Sequence, residues 1–437
     1  MAILETIVAP ATPLGRSALA IVRIDGPLSG QILEALGGRI ADPRVAVHTQ
    51  LTQAGELVDD CVAIRYAAPH SFTGNDLVEL TLHGNPLLVE RVIGACLAEG
   101  ARLAEAGEFT ERAVLNGKLD LVQAESIADL INARTAMQAK LSLGNLEGVL
   151  SRKAAAIRES LLYVISRLEA ALDFSEEGYD FISRDDARLR LEAALAETRS
   201  LAETYRRGRA TTEGLNAVIL GRPNAGKSTL LNRLVGSDRA IVTPIPGTTR
   251  DIVRETIEIG GLPVTLADTA GLRESADVVE GIGISRAREA ARSADLILYL
   301  IASDAGLSEE DRQELAALED PLVVYTKADL ARPPSEVLAI SAVSDVGVPE
   351  LLSRLDALVR ERFVAPEASL VNERQRQAVA GCAEALVASL QALAEGLDEQ
   401  MILVDLYRAS TSLGLLTGVI TREEVITEIF SKFCIGK

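Results

Sequence analysis

The chain has 437 residues, 48% of them hydrophobic, which is enough for about two to four domains with packed cores. Its formal net charge of −19 argues against a broad nucleic-acid-binding surface, because phosphate contacts need clustered lysine and arginine. The four cysteines lie far apart with no C-x-x-C pair, which indicates neither a zinc site nor a disulfide framework. The N-terminus has no basic leader and the strongest apolar runs are too short to cross a bilayer. We therefore expect a cytoplasmic protein with no membrane contact.

The pattern along the chain divides it into four parts. The first mixes short β-rich runs with turns and helical stretches, which predicts a compact α/β domain. The second and fourth carry apolar residues at helical spacing, and the third alternates strands with helices. These parts are residues 1–118, 119–212, 213–362 and 363–437. We expect a multidomain α/β plus all-α protein in which a Ras-like P-loop domain is inserted into a helical domain.

The segment 221–228 matches every fixed position of the phosphate-binding pattern G-x-x-x-x-G-K-S/T. The apolar run 215–220 predicts the strand that enters this loop, and 228–234 the helix that leaves it. The two glycines of the pattern let the backbone wrap closely, so that N–H groups face the phosphates. Lys227 supplies a positive charge for the β- and γ-phosphates, and Ser228 an oxygen ligand for Mg²⁺. The sequence thus predicts that the chain binds a nucleoside triphosphate.

Three later segments indicate which nucleotide is bound. The run 268–271, DTAG, follows an apolar strand, where a carboxylate can hold Mg²⁺ through water and a glycine N–H can contact the γ-phosphate. The run 326–329, TKAD, ends another strand, and Asp329 can accept hydrogen bonds from the ring N–H and exocyclic amine of guanine. Adenine lacks this pair of donors. Ser341 and Ala342 follow a third run, where guanine O6 would meet a backbone N–H. GTP is therefore favoured over ATP.

These segments, together with a predicted switch sequence between them, resemble a known family. The segment 247–251, GTTRD, suits a mobile switch with a threonine ligand for Mg²⁺. With it, the chain resembles the MnmE (TrmE) family of tRNA-modification GTPases over essentially its whole length. The segments that carry the resemblance are 71–74 (SFTG), 116–120 (NGKLD), 221–228 (GRPNAGKS), 247–251 (GTTRD), 268–274 (DTAGLRE) and 434–437 (CIGK).

The hydrolytic machinery differs from that of Ras-like enzymes, which place a glutamine after D-x-x-G to orient the attacking water. Here the position is Leu272, which cannot hydrogen-bond. The resemblance implies that Glu280 positions the water indirectly and that K⁺ replaces an arginine finger by neutralising charge in the transition state. From the residues alone, Glu280 is equally consistent with a solvated carboxylate, and Asn224 with a turn residue. The K⁺ positions implied are Asn224, Thr243, Ile245 and Thr248.

The resemblance completes the nucleotide site. It implies Ser228 and Thr249 as Mg²⁺ ligands, and Lys227, Glu280 and Cys434 as catalytic residues. Thr326 stands where the family usually has asparagine; its hydroxyl can still tie the base-binding strand to the phosphate loop, with fewer hydrogen-bonding groups. The predicted GTP-binding positions are Asn224, Ala225, Gly226, Lys227, Ser228, Thr229, Thr243, Pro244, Ile245, Pro246, Gly247, Thr248, Thr249, Asp268, Thr269, Ala270, Gly271, Thr326, Lys327, Ala328, Asp329, Ser341, Ala342 and Val343.

The N-terminal part has no motif spacing of its own: as isolated charges, Arg23, Glu79 and Lys118 are interpreted as surface groups. The resemblance implies a fold like the tetrahydrofolate-binding domain of the glycine-cleavage T-protein, and a dimer interface. It assigns contacts with 5-formyl- or 5,10-methylene-tetrahydrofolate to Arg23, Glu79, Lys118 and Lys437. Two or three cations near a glutamate-tailed folate are electrostatically sensible. Cys434 is either a nucleophile or proton donor, if its pKa is depressed, or simply a buried thiol.

The function implied by the resemblance is GTP hydrolysis that serves tRNA modification. With the flavoprotein MnmG, as a heterotetramer built on a homodimer, the protein would install a carboxymethylaminomethyl or aminomethyl group at C5 of the tRNA wobble uridine. GTP, Mg²⁺, K⁺ and a reduced folate would be its cofactors. Two alternatives stay open: a ribosome-assembly GTPase, although no GXXG element in a basic module is present, and a GTP switch without catalysis, as Leu272 suggests.

Overall fold

The computed structural model describes residues 5–174, 181–236, 239–241, 254–268 and 291–419, together with 429, 430, 433 and 436. Its contacts divide the chain into two compact units, Met1–Ala128 with Thr411–Lys437, and Asp129–Ser410. The strands are β1 (Ile7–Pro10), β2 (Leu19–Asp25), β3 (Ala46–Gln53), β4 (Glu56–Tyr66), β5 (Leu77–His83), β6 (Arg102–Leu103), β7 (Leu215–Leu220), β8 (Arg254–Ile259), β9 (Leu262–Asp268), β10 (Leu296–Ala302) and β11 (Leu322–Thr326). The helices are α1 (Ser29–Ala35), α2 (Pro86–Ala98), α3 (Glu108–Leu115), α4 (Leu121–Asn132), α5 (Ala136–Leu146), α6 (Val149–Asp173), α7 (Arg184–Glu203), α8 (Tyr205–Glu213), α9 (Lys227–Val235), α10 (Glu309–Ala316), α11 (Val348–Phe363), α12 (Glu373–Ala394) and α13 (Glu399–Thr417).

The first unit is built on a sheet of six strands in the order β3-β4-β5-β2-β1-β6. Neighbouring strands are antiparallel except β1 and β6, which are parallel. Alternate residues of β2 and β5, such as Val22, Ile24 and Leu80, are buried in the core beneath α1 and α2. Because side chains alternate between the two faces of a strand, Arg23 and Glu79 lie on the opposite face. They are also directly opposite each other in the β2–β5 register.

The helical part of the second unit is held by amphipathic helices with defined N-terminal caps. Thr135 and Gln138 form a capping box on α5, and Asn372 caps α12. In α6, buried residues recur every three or four positions from Leu150 to Leu168. The periodic series predicted from the sequence in fact crosses a helix boundary at Gly148, where φ is +81°. Gly148 ends one helix and begins the next, because a left-handed residue cannot continue either.

One helix of the described residues, α12, is long and apolar enough to cross a membrane by composition, with a mean hydropathy of 1.3. It packs against α7, and the thiol of its Cys382 contacts the Thr198 hydroxyl of that helix. A single helix of this kind, packed into a bundle, is weak evidence for a membrane span.

The nucleotide-binding part of the second unit contains a sheet of five strands in the order β11-β10-β7-β9-β8. All pairs are parallel except β8 and β9. Helices α9 and α11 cover one face, and α10 lies on the other. The segment 337–340, predicted as a strand, runs beside β11 and joins it through a single bridge between Tyr325 and Ala339. Because parallel strands end at the same edge, the loops after β7 and β11 are brought together there.

Two sheets of different topology in one chain, accompanied by helical segments, confirm the predicted multidomain α/β plus all-α class. The strand predicted at 215–220 coincides with β7, and the predicted helix 228–234 lies inside α9. The four-part domain boundaries stay a prediction.

Candidate functional site

The backbone of the phosphate loop between β7 and α9 requires glycine at two positions. Gly221 has φ +130°, and a Cβ there would lie 2.3 Å from the Leu300 carbonyl oxygen. Gly226 has φ +88° and caps the N-terminus of α9, while Asn224 is left-handed at φ +59°. The loop therefore delivers the first amide groups of α9 to one concave surface, which is the geometry of an anion site.

The side chain of Lys227 lies across this loop. Its Nζ donates to the carbonyl oxygens of Gly221, at 2.7 Å, and Arg222, at 2.8 Å. The Arg222 carbonyl also accepts the Ala225 N–H at 3.2 Å. Ser228 follows on the first turn of α9, so the ammonium group and the predicted Mg²⁺ ligand stand at the same mouth.

Thr326 connects the phosphate loop to the base-binding strand. Its buried hydroxyl donates to the Ala225 carbonyl oxygen at 2.7 Å. This is the contact expected of a threonine in place of asparagine. The part of the loop just before α9 and the end of β11 are thereby held at a fixed spacing, which is what a ligand contacting both segments requires.

The predicted base-recognition residues line the same cavity as the phosphate loop. Asp329 comes from the loop after β11, and Ser341, Ala342 and Val343 from the loop before α11. The second loop is fixed by Ser341, whose N–H donates to the Val346 carbonyl at 2.8 Å. Among the predicted nucleotide-binding residues, those that line this cavity are Asn224, Gly226, Lys227, Ser228, Thr229, Thr326, Lys327, Asp329, Ser341, Ala342 and Val343.

Several predicted residues fall outside the part of the chain that the structure describes. Asp268 ends β9, where its backbone is in register with Ile219 of β7. The predicted roles of all site residues stay predictions. The residues outside the described ranges are Thr243, Pro244, Ile245, Pro246, Gly247, Thr248, Thr249, Thr269, Ala270, Gly271, Leu272, Glu280, Cys434 and Lys437.

Sequence reasoning missed an ion pair beside the phosphate loop. Arg222 Nε lies 3.0 Å from an oxygen of Asp311, which is fully buried on α10. Burial alone would raise the pKa of Asp311, but hydrogen bonds from Ser308 and Tyr299 and the charge of Arg222 outweigh it and hold that pKa below its usual value. The S-x-x-D capping pattern at 308–311 is visible in the sequence. Nothing in the sequence shows that Asp311 pairs with Arg222, 89 residues before it.

In the first unit, the structure brings together two of the predicted folate-binding residues. Arg23 Nε donates to Glu79 at 2.8 Å, and the Tyr66 hydroxyl donates to the other Glu79 oxygen at 3.2 Å. The Arg23 guanidinium lies 5.5 Å from the centre of the Phe72 ring. Burial and the neighbouring Glu79 carboxylate raise the pKa of Tyr66. Lys118 donates to the Pro69 carbonyl at 3.1 Å, at the start of the segment that carries Phe72.

A buried polar network, also missed from the sequence, holds that segment in place. The carboxylate of Asp25 is fully buried and accepts from Arg112 at 2.8 Å and from Asn75 at 3.0 Å. The Thr73 hydroxyl donates to the same carboxylate. Asn116 in turn donates to the Thr73 carbonyl at 2.7 Å. The two predicted motif segments, 71–74 and 116–120, are thus joined in space.

The C-terminal tetrapeptide approaches this unit at its one described residue. A Cβ on Gly436, where φ is +95°, would lie 1.9 Å from the Pro10 carbonyl oxygen. Gly436 therefore lies directly against the end of β1, the strand next to β2. Phe430 and Phe433 pack against Leu121 in the same unit.

The parallel sheet, the glycine-shaped loop with its lysine, and the aspartate in the same cavity define a P-loop nucleotide-binding protein of the GTPase class. Comparison with known proteins is more specific. Residues 6–118 match the family described as "GTP-binding protein TrmE N-terminus", and residues 121–434 match "MnmE helical domain". The chain belongs to the MnmE family of tRNA modification GTPases, as its motifs predicted.

Individual relatives agree. The tRNA modification GTPase MnmE of Koribacter versatilis is 40% identical over 451 residues, covering 99% of each chain. That of Symbiobacterium thermophilum is 41% identical over 459 residues, again covering 99% of each. Among solved structures, Era of Aquifex aeolicus bound to GDP.AlF4- is 25% identical, with a TM-score of 0.27, and the match covers 40% of this chain and 67% of that one.

Proposed function

We propose that this chain hydrolyses GTP and that hydrolysis serves the modification of C5 of the tRNA wobble uridine, carried out with the flavoprotein MnmG. The added group is carboxymethylaminomethyl or aminomethyl. One observation carries the nucleotide part of the proposal: the phosphate loop, with Lys227 across it, opens into the same cavity as Asp329 and the 341–343 loop. Membership of the MnmE family supports the tRNA part. A ligand that spans this cavity needs phosphates at one end and a pair of N–H donors at the other, as GTP has.

Two described residues, Ser228 and Asn224, fit the proposed metal ions, and the other proposed ligands lie outside the described residues. Ser228 presents a hydroxyl oxygen at the loop mouth, which is a ligand that Mg²⁺ prefers. Thr249 would be its second protein ligand. Asn224 lines the cavity and is held in a left-handed conformation by the loop, which supports its assignment to K⁺ with Thr243, Ile245 and Thr248. A bound K⁺ would supply positive charge beside the bond that breaks, and the proposed task of Glu280 is to position water.

The N-terminal residues also fit a reduced folate, in part. Glu79 offers an acceptor for ring N–H groups, Phe72 an aromatic surface beside Arg23, and Lys118 a cation on the adjacent segment. Gly436, lying against β1, supports the assignment of Lys437 to the same pocket. The folate, when bound, would supply the one-carbon unit. Cys434 is proposed to act there as nucleophile or proton donor.

The proposed assembly is a homodimer that joins MnmG in a heterotetramer in the cytoplasm and takes tRNA as substrate. A net charge of −19 supports an RNA contact that is local or shared with the partner, because a uniformly acidic surface repels phosphate.

Three measurements test the proposal. Single-turnover GTP hydrolysis by the purified chain, compared with Lys227→Ala, is expected to show turnover that the variant loses; GTP binding without any hydrolysis would instead indicate a switch. Rates in KCl should exceed those in NaCl, and equal rates would remove K⁺ from the mechanism. Mass spectrometry of tRNA from a deletion strain should show the wobble uridine unmodified. Normal modification with incomplete ribosomal subunits would point to ribosome assembly.

A further inference from the structure

Among the described residues, two side chains anchor the phosphate loop to the rest of the domain, and the sequence predicted one of them. The first is the Thr326 hydroxyl on the Ala225 carbonyl, at the side of the base-binding strand. The second is the side chain of Arg222, which contacts the segment between β10 and β11. Its Nη2 donates to the Gly306 carbonyl oxygen at 2.7 Å, and its Nε to Asp311. The glycines at the ends of the loop have no side chain with which to hold it.

The second anchor is itself held rigidly. Asp311 is fully buried and accepts from the Ser308 N–H and hydroxyl at 2.9 and 2.8 Å. The hydroxyl of Tyr299, a fully buried residue of β10, lies 3.0 Å from the other oxygen of Asp311 and 2.8 Å from Glu314. Since a buried carboxylate is stable only when its charge is paired and its oxygens are hydrogen-bonded, Arg222 completes this site. The guanidinium is therefore confined to one place.

The backbone of Arg222 is where this anchor reaches the nucleotide site. Its carbonyl oxygen accepts both the Ala225 N–H and the Lys227 ammonium. A side chain fixed on Asp311 consequently fixes the acceptor that orients Lys227 and the turn that presents the loop amides. The Thr326 anchor fixes the carbonyl of Ala225, three residues further along the loop.

We infer that Arg222 is a positioning residue of the phosphate loop: held by Asp311 and Gly306, it fixes the loop so that Lys227 and the loop amides meet the phosphates of the nucleotide. This inference deepens the proposed function and rests on it. Arg222 acts through the loop and not on the base, so phosphate-dependent affinity depends on it and the choice of base does not.

The test measures dissociation constants and rates for GDP and GTP in the full chain, with a fluorescent guanine nucleotide and Mg²⁺. Arg222→Ala is expected to weaken both nucleotides about tenfold, mostly through faster dissociation, as for loss of a hydrogen bond to a charged group. Arg222→Lys keeps the charge but cannot contact Gly306 and Asp311 at the same time, so its nucleotide affinity should lie between those of the wild type and Arg222→Ala. The matched control is Arg312→Ala on α10, the helix that carries Asp311. It removes an exposed ion pair with Glu309 and should leave nucleotide affinity within about twofold of the wild type.

A second readout separates positioning from folding. The preference for GTP over xanthosine triphosphate should be the same in Arg222→Ala as in the wild type, and circular dichroism should show the native helical content. Equal affinity in Arg222→Ala and Arg312→Ala would overturn the inference. If Arg222→Ala does not fold, Arg222→Lys decides: weaker binding supports the inference, and wild-type binding refutes it. If the wild type itself binds no GTP, the proposed function has failed instead.

Discussion

The phosphate loop and the N-terminal segment 71–76 solve the same problem in different ways. Both are irregular segments fixed by a fully buried carboxylate paired with an arginine: Asp311 with Arg222, and Asp25 with Arg112. In the phosphate loop the backbone is the proposed binding group, and its glycines make a contiguous pattern. In the N-terminal unit the proposed binding groups are side chains from separate strands. Contiguous motifs are therefore visible in a sequence, while sites assembled across a sheet are not.

The largest expected effect concerns the N-terminal carboxylate. Asp25→Ala removes a fully buried carboxylate and leaves Glu108, at 2.9 Å, as the remaining carboxylate beside the buried Arg112 guanidinium, so it should lower the free energy of unfolding of this unit by about 3 kcal/mol. Urea unfolding measures it, with Arg188→Ala, which removes exposed pairs with Asp185 and Glu192, as the control expected to cost less than about 0.5 kcal/mol. Similar costs for both variants would mean that the buried network does not hold the 71–76 segment.

The next prediction concerns the base. Asp329→Asn replaces an acceptor with a donor, so preference should move from guanosine to xanthosine nucleotides, with GTP affinity lower by about a hundredfold. Competition binding with both triphosphates measures it. Unchanged preference for GTP would refute base recognition by Asp329, although the phosphate loop could still bind the nucleotide.

Loss of the predicted anchor should have a smaller effect. Thr326→Val removes the hydroxyl from the Ala225 carbonyl and should weaken GTP binding by about tenfold, since that carbonyl loses its side-chain donor. Thr326→Ser keeps the hydroxyl and serves as the control. If the two Thr326 variants bind GTP equally well, the hydroxyl contact does not hold the loop in place. Arg222 would then be the remaining side-chain anchor identified for the phosphate loop.

The smallest effect is linked to pH. Burial alone would raise the pKa of Glu108, but hydrogen bonds from Arg102 and Glu105 and the charge of Arg112 hold that pKa below its usual value. The ionised form therefore stabilises the folded state above that value, and the stabilisation is lost as the pH falls through the folded pKa. Glu108→Gln should cost about 1 kcal/mol near pH 7 and less near pH 3, by urea unfolding. A cost independent of pH would mean that packing, not charge, is its contribution.

Elements that depend on residues adjacent in the chain could be predicted from the sequence alone. The strand β7, the loop conformation and the helix α9 follow from an apolar run, glycines and a helix-forming segment that adjoin each other. The same holds for Thr326, which the motif places at a strand end. Family membership also followed from contiguous segments, including 221–228 and 434–437.

Which distant residues contact each other is seen only in the tertiary structure. Nothing in the local pattern of Arg23 and Glu79 shows that they are partners; the β2–β5 register places them opposite each other. Arg222 and Asp311 are joined by the parallel order of β7 and β10, and Asp25 and Arg112 by the packing of α3 against the end of β2. The reason is physical: periodicity and turn chemistry depend on neighbours along the chain, while the pairing of buried charges depends on which strands and helices pack together.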